Sequence, residues 1–160
     1  MKVRTLLTAL MIVGPVVVWA QAPPPALKTQ FDAMQANTAK VSNAAEKERW
    51  QANVTLWDVK INRTGPLEIV DLAKMRAPFE TMKANVAKIT DPAEKERWQA
   101  NCDMWAVLVA QPGKVAKEGR DKMRASLEVI KANVTKIRVA AEKQRWGSNQ
   151  ELWTLTLRVM

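Results

Sequence analysis

A six-residue phrase recurs three times at a fixed spacing of 48 positions: Ala45-Glu46-Lys47-Glu48-Arg49-Trp50, then Ala93 to Trp98, then Ala141 to Trp146 with Gln144 in place of the second glutamate. A period of this length marks a repeat architecture, in which one supersecondary unit cannot cover its own apolar face and packs on its neighbours. The chain is therefore expected to be all-α: three tandem αα-hairpin repeats, about 25–64, 66–112 and 114–160, stacked as a short helical array or bundle.

The first residues have the pattern of a secretory leader. Basic Met1-Lys2-Val3-Arg4 precedes an apolar run from Thr5 to Trp19, broken by Gly14-Pro15 and followed by the small residues Ala20 and Ala22. Cleavage after Ala20 is expected, because a cut after Ala22 would have to open the bond to Pro23. The run is short and interrupted for a membrane span, which takes about 17–25 apolar residues. Residues 1–20 are thus expected to be a cleaved signal peptide, leaving 21–160 as a single helical-repeat domain in the periplasm or medium, with no transmembrane segment.

Within each repeat, Leu27, Phe31, Met34, Thr38 and Val41 space out one narrow stripe of a helix. Met75, Phe79, Met82, Val86 and Ile89 repeat it, as do Met123, Leu127, Ile130, Val134 and Ile137. The following helix has two apolar faces, Trp50, Val54, Trp57 and Ile61 opposing Ala45, Ala52, Leu56 and Val59, so it is expected to lie between two neighbours. The tryptophan face is expected to pack within its own hairpin and the alanine face to admit the next unit closely. Asn43 and Asp91 are in place to cap the second helices, while Val139 caps nothing and leaves the third turn to packing. Thr64-Gly65-Pro66 and Gln111-Pro112-Gly113 separate the repeats. Pro78, inside an otherwise helical stretch, predicts a kink near Ala77.

Histidine is absent, which removes histidine metal sites and histidine-based nucleophile pairs or acid–base catalysis. Cys102 is the single cysteine, so no internal disulfide can form; it reads as a small core residue, with a disulfide-linked dimer as the alternative. No catalytic residue, metal ligand or cofactor site is predicted. The Glu-Lys-Glu-Arg stretch reads as a helix-start device in which Glu46 reaches Arg49 or Trp50 one turn on.

Six tryptophans come as pairs seven residues apart, Trp50/Trp57, Trp98/Trp105 and Trp146/Trp153, each enclosing an asparagine, Asn53, Asn101 or Asn149; the first helices supply Asn37, Asn85 and Asn133. The rings are expected to form the core, with amides satisfying indole N–H groups or locking register. Exposed instead on a concave face, the same residues would stack on sugars and make a glycan-binding module. Asn53-Val54-Thr55, Asn62-Arg63-Thr64 and Asn133-Val134-Thr135 match the glycosylation tripeptide.

Removing Lys2 and Arg4 lowers the formal charge of +9 by two, to +7, with the C-terminal third the most basic. Lys40, Lys88 and Lys136, with Lys83/Lys131 and Arg76/Arg124, recur at matching positions and, joined by Arg138, are expected to stripe the stack as a surface for acidic proteins or anionic envelope polymers, without specific nucleic-acid recognition. Together these features describe a secreted or periplasmic non-enzymatic binding or scaffolding protein, chaperone-like or envelope-associated. A structural, self-assembling repeat protein is the alternative. Ligand identity and oligomeric state are not encoded in any motif.

Overall fold

The computed structural model describes residues 24–63 and 65–160. The leader, its cut sites and Trp19 lie outside the described residues. These residues form six helices: α1 (Pro25–Thr38), α2 (Ala44–Ile61), α3 (Ile69–Val86), α4 (Pro92–Val109), α5 (Lys117–Val134) and α6 (Ala140–Val159).

Local chemistry sets most of the boundaries. Asn43 Oδ1 accepts the Glu46 amide at 2.9 Å and Asp91 Oδ1 that of Glu94 at 2.6 Å, so α2 and α4 begin where the expected caps stand. α6 begins after Val139 with no side-chain cap. Its turn is held by burial of Val134 and Ile137 and by the Ile137 amide donating to the Val134 carbonyl at 3.2 Å. α3 starts with a capping box missed in the sequence: the Asp71 carboxylate accepts the Glu68 amide at 2.9 Å, and Arg63 donates to the same carboxylate. Pro78 lies inside α3, which stays one helix from Ile69 to Val86.

The three hairpins close on themselves. α3 lies along α2 and α5 along α4, and α1 takes the same place along α6, so the last repeat meets the first. The result is a ring with α2, α4 and α6 inside and α1, α3 and α5 outside, related by an approximate three-fold axis. An array with two open ends would leave a hairpin face at each; here α1 and α6 cover one another. The small faces of the inner helices, including buried Ala52 and Ala100, are where the next repeat's outer helix approaches. At Gly119 of α5 the approach is so close that a Cβ would lie 3.0 Å from Val107 Cγ1 of α4.

The tryptophans pack across the axis, not within their own hairpins as the periodicity suggested. A helix face that is apolar in all three copies can bury itself against its own equivalents once the ring closes. Trp50, Trp98 and Trp146 meet edge to face in a cyclic triad, with ring centroids 4.8, 4.8 and 5.0 Å apart. Trp57, Trp105 and Trp153 form a second triad at 4.5 to 4.8 Å. All six rings are at most 1 % exposed. Each such contact adds about 0.5–1.5 kcal/mol beyond the area it buries.

Between the two layers lies a closed ring of carboxamides. Asn101 Nδ2 donates to Asn53 Oδ1, Asn149 Nδ2 to Asn101 Oδ1, and Asn53 Nδ2 to Asn149 Oδ1, each at 3.0 Å. Every one of these oxygens also accepts an indole N–H at 2.8 Å, from Trp105, Trp153 and Trp57 respectively. The expected pairing of amides with indoles is thus present, spread over three repeats.

Substituting Asn101→Ala removes the acceptor of both Trp153 Nε1 and Asn149 Nδ2. Orphaning two buried donors should lower stability by about 2–6 kcal/mol in urea unfolding. A loss within experimental error of zero would show that the ring contributes nothing.

Candidate functional site

The two ends of the ring differ chemically. At one end the hairpin turns, residues 39–43, 87–91 and 135–139, surround the N-termini of the inner helices. Each arginine of the repeated phrase reaches into the next repeat there. Arg49 pairs with Glu94 at 2.5 Å, Arg97 with Glu142 at 2.7 Å and Arg145 with Glu46 at 2.6 Å. The expected contact of Glu46 with Arg49 or Trp50 of its own helix is therefore replaced by Arg145, because ring closure brings a neighbouring guanidinium to the carboxylate. The same arginines lie over Trp98, Trp146 and Trp50, with guanidinium carbons 5.3 to 5.6 Å from the ring centroids.

These pairs are poorly solvated. The arginines are 4 to 5 % exposed, and their Nε atoms are buried without a partner. Burial pulls the Arg97 guanidinium below its ordinary value, with the carboxylates of Glu142, Glu94 and Asp91 opposing. Burial likewise raises the Glu142 carboxyl, with Arg97 opposing. Desolvation thus opposes the charged form on both sides of that pair, which joins one repeat to the next.

The Arg–Glu triad also props up the turns. Arg145, Arg49 and Arg97 donate through Nη1 to the main-chain carbonyls of Asn37, Asn85 and Asn133 at 3.4 to 3.5 Å. The side chains of those asparagines each accept from a lysine Nζ: Asn37 from Lys40 and Asn85 from Lys88 at 3.2 Å, Asn133 from Lys136 at 2.9 Å. Asn37, Asn85 and Asn133 therefore belong to this end and not to the tryptophan core.

Of the cations singled out in the sequence, Lys40, Lys88, Lys136 and Arg138 come together as exposed residues of the three turns. They encircle one end instead of striping a stack, since closure carries equivalent positions around an axis. Lys83 and Lys131 lie further along the outer helices and pair with Glu80 and Glu128. Arg124 pairs with Asp121, and Arg76 is exposed on α3. Lys47, Lys95 and Lys143, in the first turns of the inner helices, share the cationic end and were readable from the repeated phrase itself. The six candidate stacking residues, Trp50, Trp57, Trp98, Trp105, Trp146 and Trp153, are all in the core and offer no face to a sugar. Asn53 and Asn133, in two of the glycosylation tripeptides, are buried as well.

The opposite end carries a cavity of about 280 Å³, lined by Lys60, Lys114, Leu67, Leu108, Val115 and Met160 among others. Burial holds the Lys60 ammonium below the usual lysine range, partly offset by the Asp71 carboxylate. Among the described residues no group of three or more acidic or cysteine side chains is placed to hold a metal ion, and no helix is long and apolar enough to cross a membrane. No protein family, curated protein or solved structure matches this chain.

Two outcomes test this geometry. Glu142→Ala should destabilise the protein by about 3 kcal/mol, the lower end for a broken buried pair because a quarter of the Glu142 side chain stays wet. Adding Arg97→Met should restore most of that loss in denaturant titrations. Cys102 is buried and its thiol is pushed up to about 12, so below that pH it is neutral in the folded protein. Ellman's reagent at mildly alkaline pH should leave it unmodified until the chain is unfolded.

Proposed function

We propose that this chain is a non-enzymatic binding protein of the periplasm or medium that recognises anionic envelope polymers through the lysine-bearing end of its ring. The observation that carries this reading is the set Lys40, Lys88 and Lys136, at equivalent positions around the axis and each tied through Nζ to an asparagine oxygen. Cations held in this way lose less side-chain freedom on meeting a ligand than free lysines do.

The neighbouring acids support the same reading because most are already engaged. Glu46, Glu94 and Glu142 face the buried arginines, Asp91 caps α4, and Glu96 accepts from Asn133 at 3.0 Å. Lys47, Lys95, Lys143 and Arg138 add further positive charge at that end. The leader-like N-terminal residues support a destination outside the cytoplasm, and the absence of histidine, with the interior given over to packed indoles, favours surface recognition over catalysis.

The test is binding of fluorescent dextran sulfate, followed by anisotropy over a salt series. Affinity should fall steeply with salt, and Lys40→Gln/Lys88→Gln/Lys136→Gln should make the log–log slope shallower by about two to three while leaving the melting temperature unchanged. Salt-insensitive binding, or an unchanged slope in the triple variant, would overturn the reading.

A further inference from the structure

At the end of the ring opposite the lysine turns, one inner-helix position departs from the three-fold pattern in its charge. Position 60 lies three residues beyond Trp57 on an inner helix, and its equivalents are Leu108 and Thr156, both uncharged and 3 and 2 % exposed. The first repeat puts a lysine there, half-buried and lining the cavity. The cavity wall is built, not accidental. The two corner loops that form it are tied by the Gly113 amide donating to the Leu67 carbonyl at 2.9 Å, and Gly113 holds a φ of +101° that favours glycine. Leu67, Leu108 and Val115 supply an apolar wall, beside the polar Lys60 and Lys114.

Among the described residues no carboxylate lies within ion-pair distance of Lys60. Asp71, the acid that acts on it through space, already accepts from Arg63 at 2.5 Å and from the Glu68 amide at 2.9 Å. Among the described residues no ion pair or side-chain hydrogen bond involves Lys60. An ammonium without an ion pair, set beside an apolar wall, suits a ligand with one negative charge attached to an apolar body. A dianion would need a second cation at the same depth, whereas the other lysine of the lining, Lys114, is exposed.

We propose that this cavity is a binding site for a small aliphatic monocarboxylate, whose carboxylate pairs with Lys60 while its chain lies against Leu67, Leu108 and Val115. At about 280 Å³ the cavity lies just below the usual range of ligand sites, which start near 300 Å³, so it suits a medium-chain acid and not a whole lipid. The site is at the other end of the molecule from the lysine turns and does not rest on the polymer-binding reading.

Octanoate and octan-1-ol are the probes, titrated into the purified protein with methyl chemical shifts of Leu67, Leu108 and Met160 as the readout. Octanoate should saturate these shifts at concentrations at least tenfold below those octan-1-ol requires. Lys60→Met, checked for an unchanged melting curve, should weaken octanoate at least tenfold and leave octan-1-ol as it was. The proposal is overturned if octanoate leaves the cavity methyls unmoved, if the alcohol binds as tightly as the acid, or if folded Lys60→Met binds octanoate normally. Should Lys60→Met fail to fold, the acid–alcohol comparison on the unaltered protein decides the matter.

Discussion

The carboxamides of Asn53, Asn101 and Asn149 are fully buried, and each pairs both its oxygen and its nitrogen with its own equivalents. Three amides can do this only as a closed cycle, one from each inner helix at the same height. A slip of one helix along the axis would break two bonds of the cycle and leave two indole N–H groups without their acceptors. Buried groups left unsatisfied cost more than the bonds contribute when made, so the cycle acts as a register lock. The tryptophans of the triads above and below are the largest fully buried side chains, but apolar contact is not directional and would tolerate a slip that the amides forbid.

The Arg–Glu pairs add a second kind of specificity near the end of the axis. Each joins neighbouring repeats, and each guanidinium is covered by an indole of the repeat it reaches. Burial weighs on both charges of the Arg97–Glu142 pair, and losing either partner would leave the other charge buried alone. The pairing also leaves the lysines of the turns as the charge presented outward. The interior is thereby spent on assembly, and recognition falls to the ends: a cationic rim at one, a lysine-bearing cavity at the other.

Much of the helical layout is legible from residue spacing. The stripe Phe31, Met34, Thr38 and Val41 is buried as its period implies, Asn43 and Asp91 cap as their positions imply, and the turn before Ala140 forms although Val139 contributes no cap. The site is less legible. Lys40, Lys88 and Lys136 stand out by repetition, yet nothing along the chain says that they face the same way around an axis. Glu46 is three residues from Arg49 in sequence, and a local rule pairs them; the partner that closure provides lies 99 residues away. Lys60 carries no motif at all, because its meaning comes from two uncharged equivalents and a cavity that exists only between repeats.

The amino-acid sequence alone determined that there are three hairpins, where most of their helices begin, and that the indoles and amides belong together, since these follow from short-range periodicity and capping. Only the tertiary structure decided that the hairpins form a ring in which α1 covers α6, that the tryptophans meet across an axis, and that each arginine serves the next repeat. The physical reason is that an identical face on three helices is compatible with an open stack or a closed one. The choice rests on whether the curvature of the packed helices brings the last to the first, a sum of small packing angles that no local stretch of sequence records.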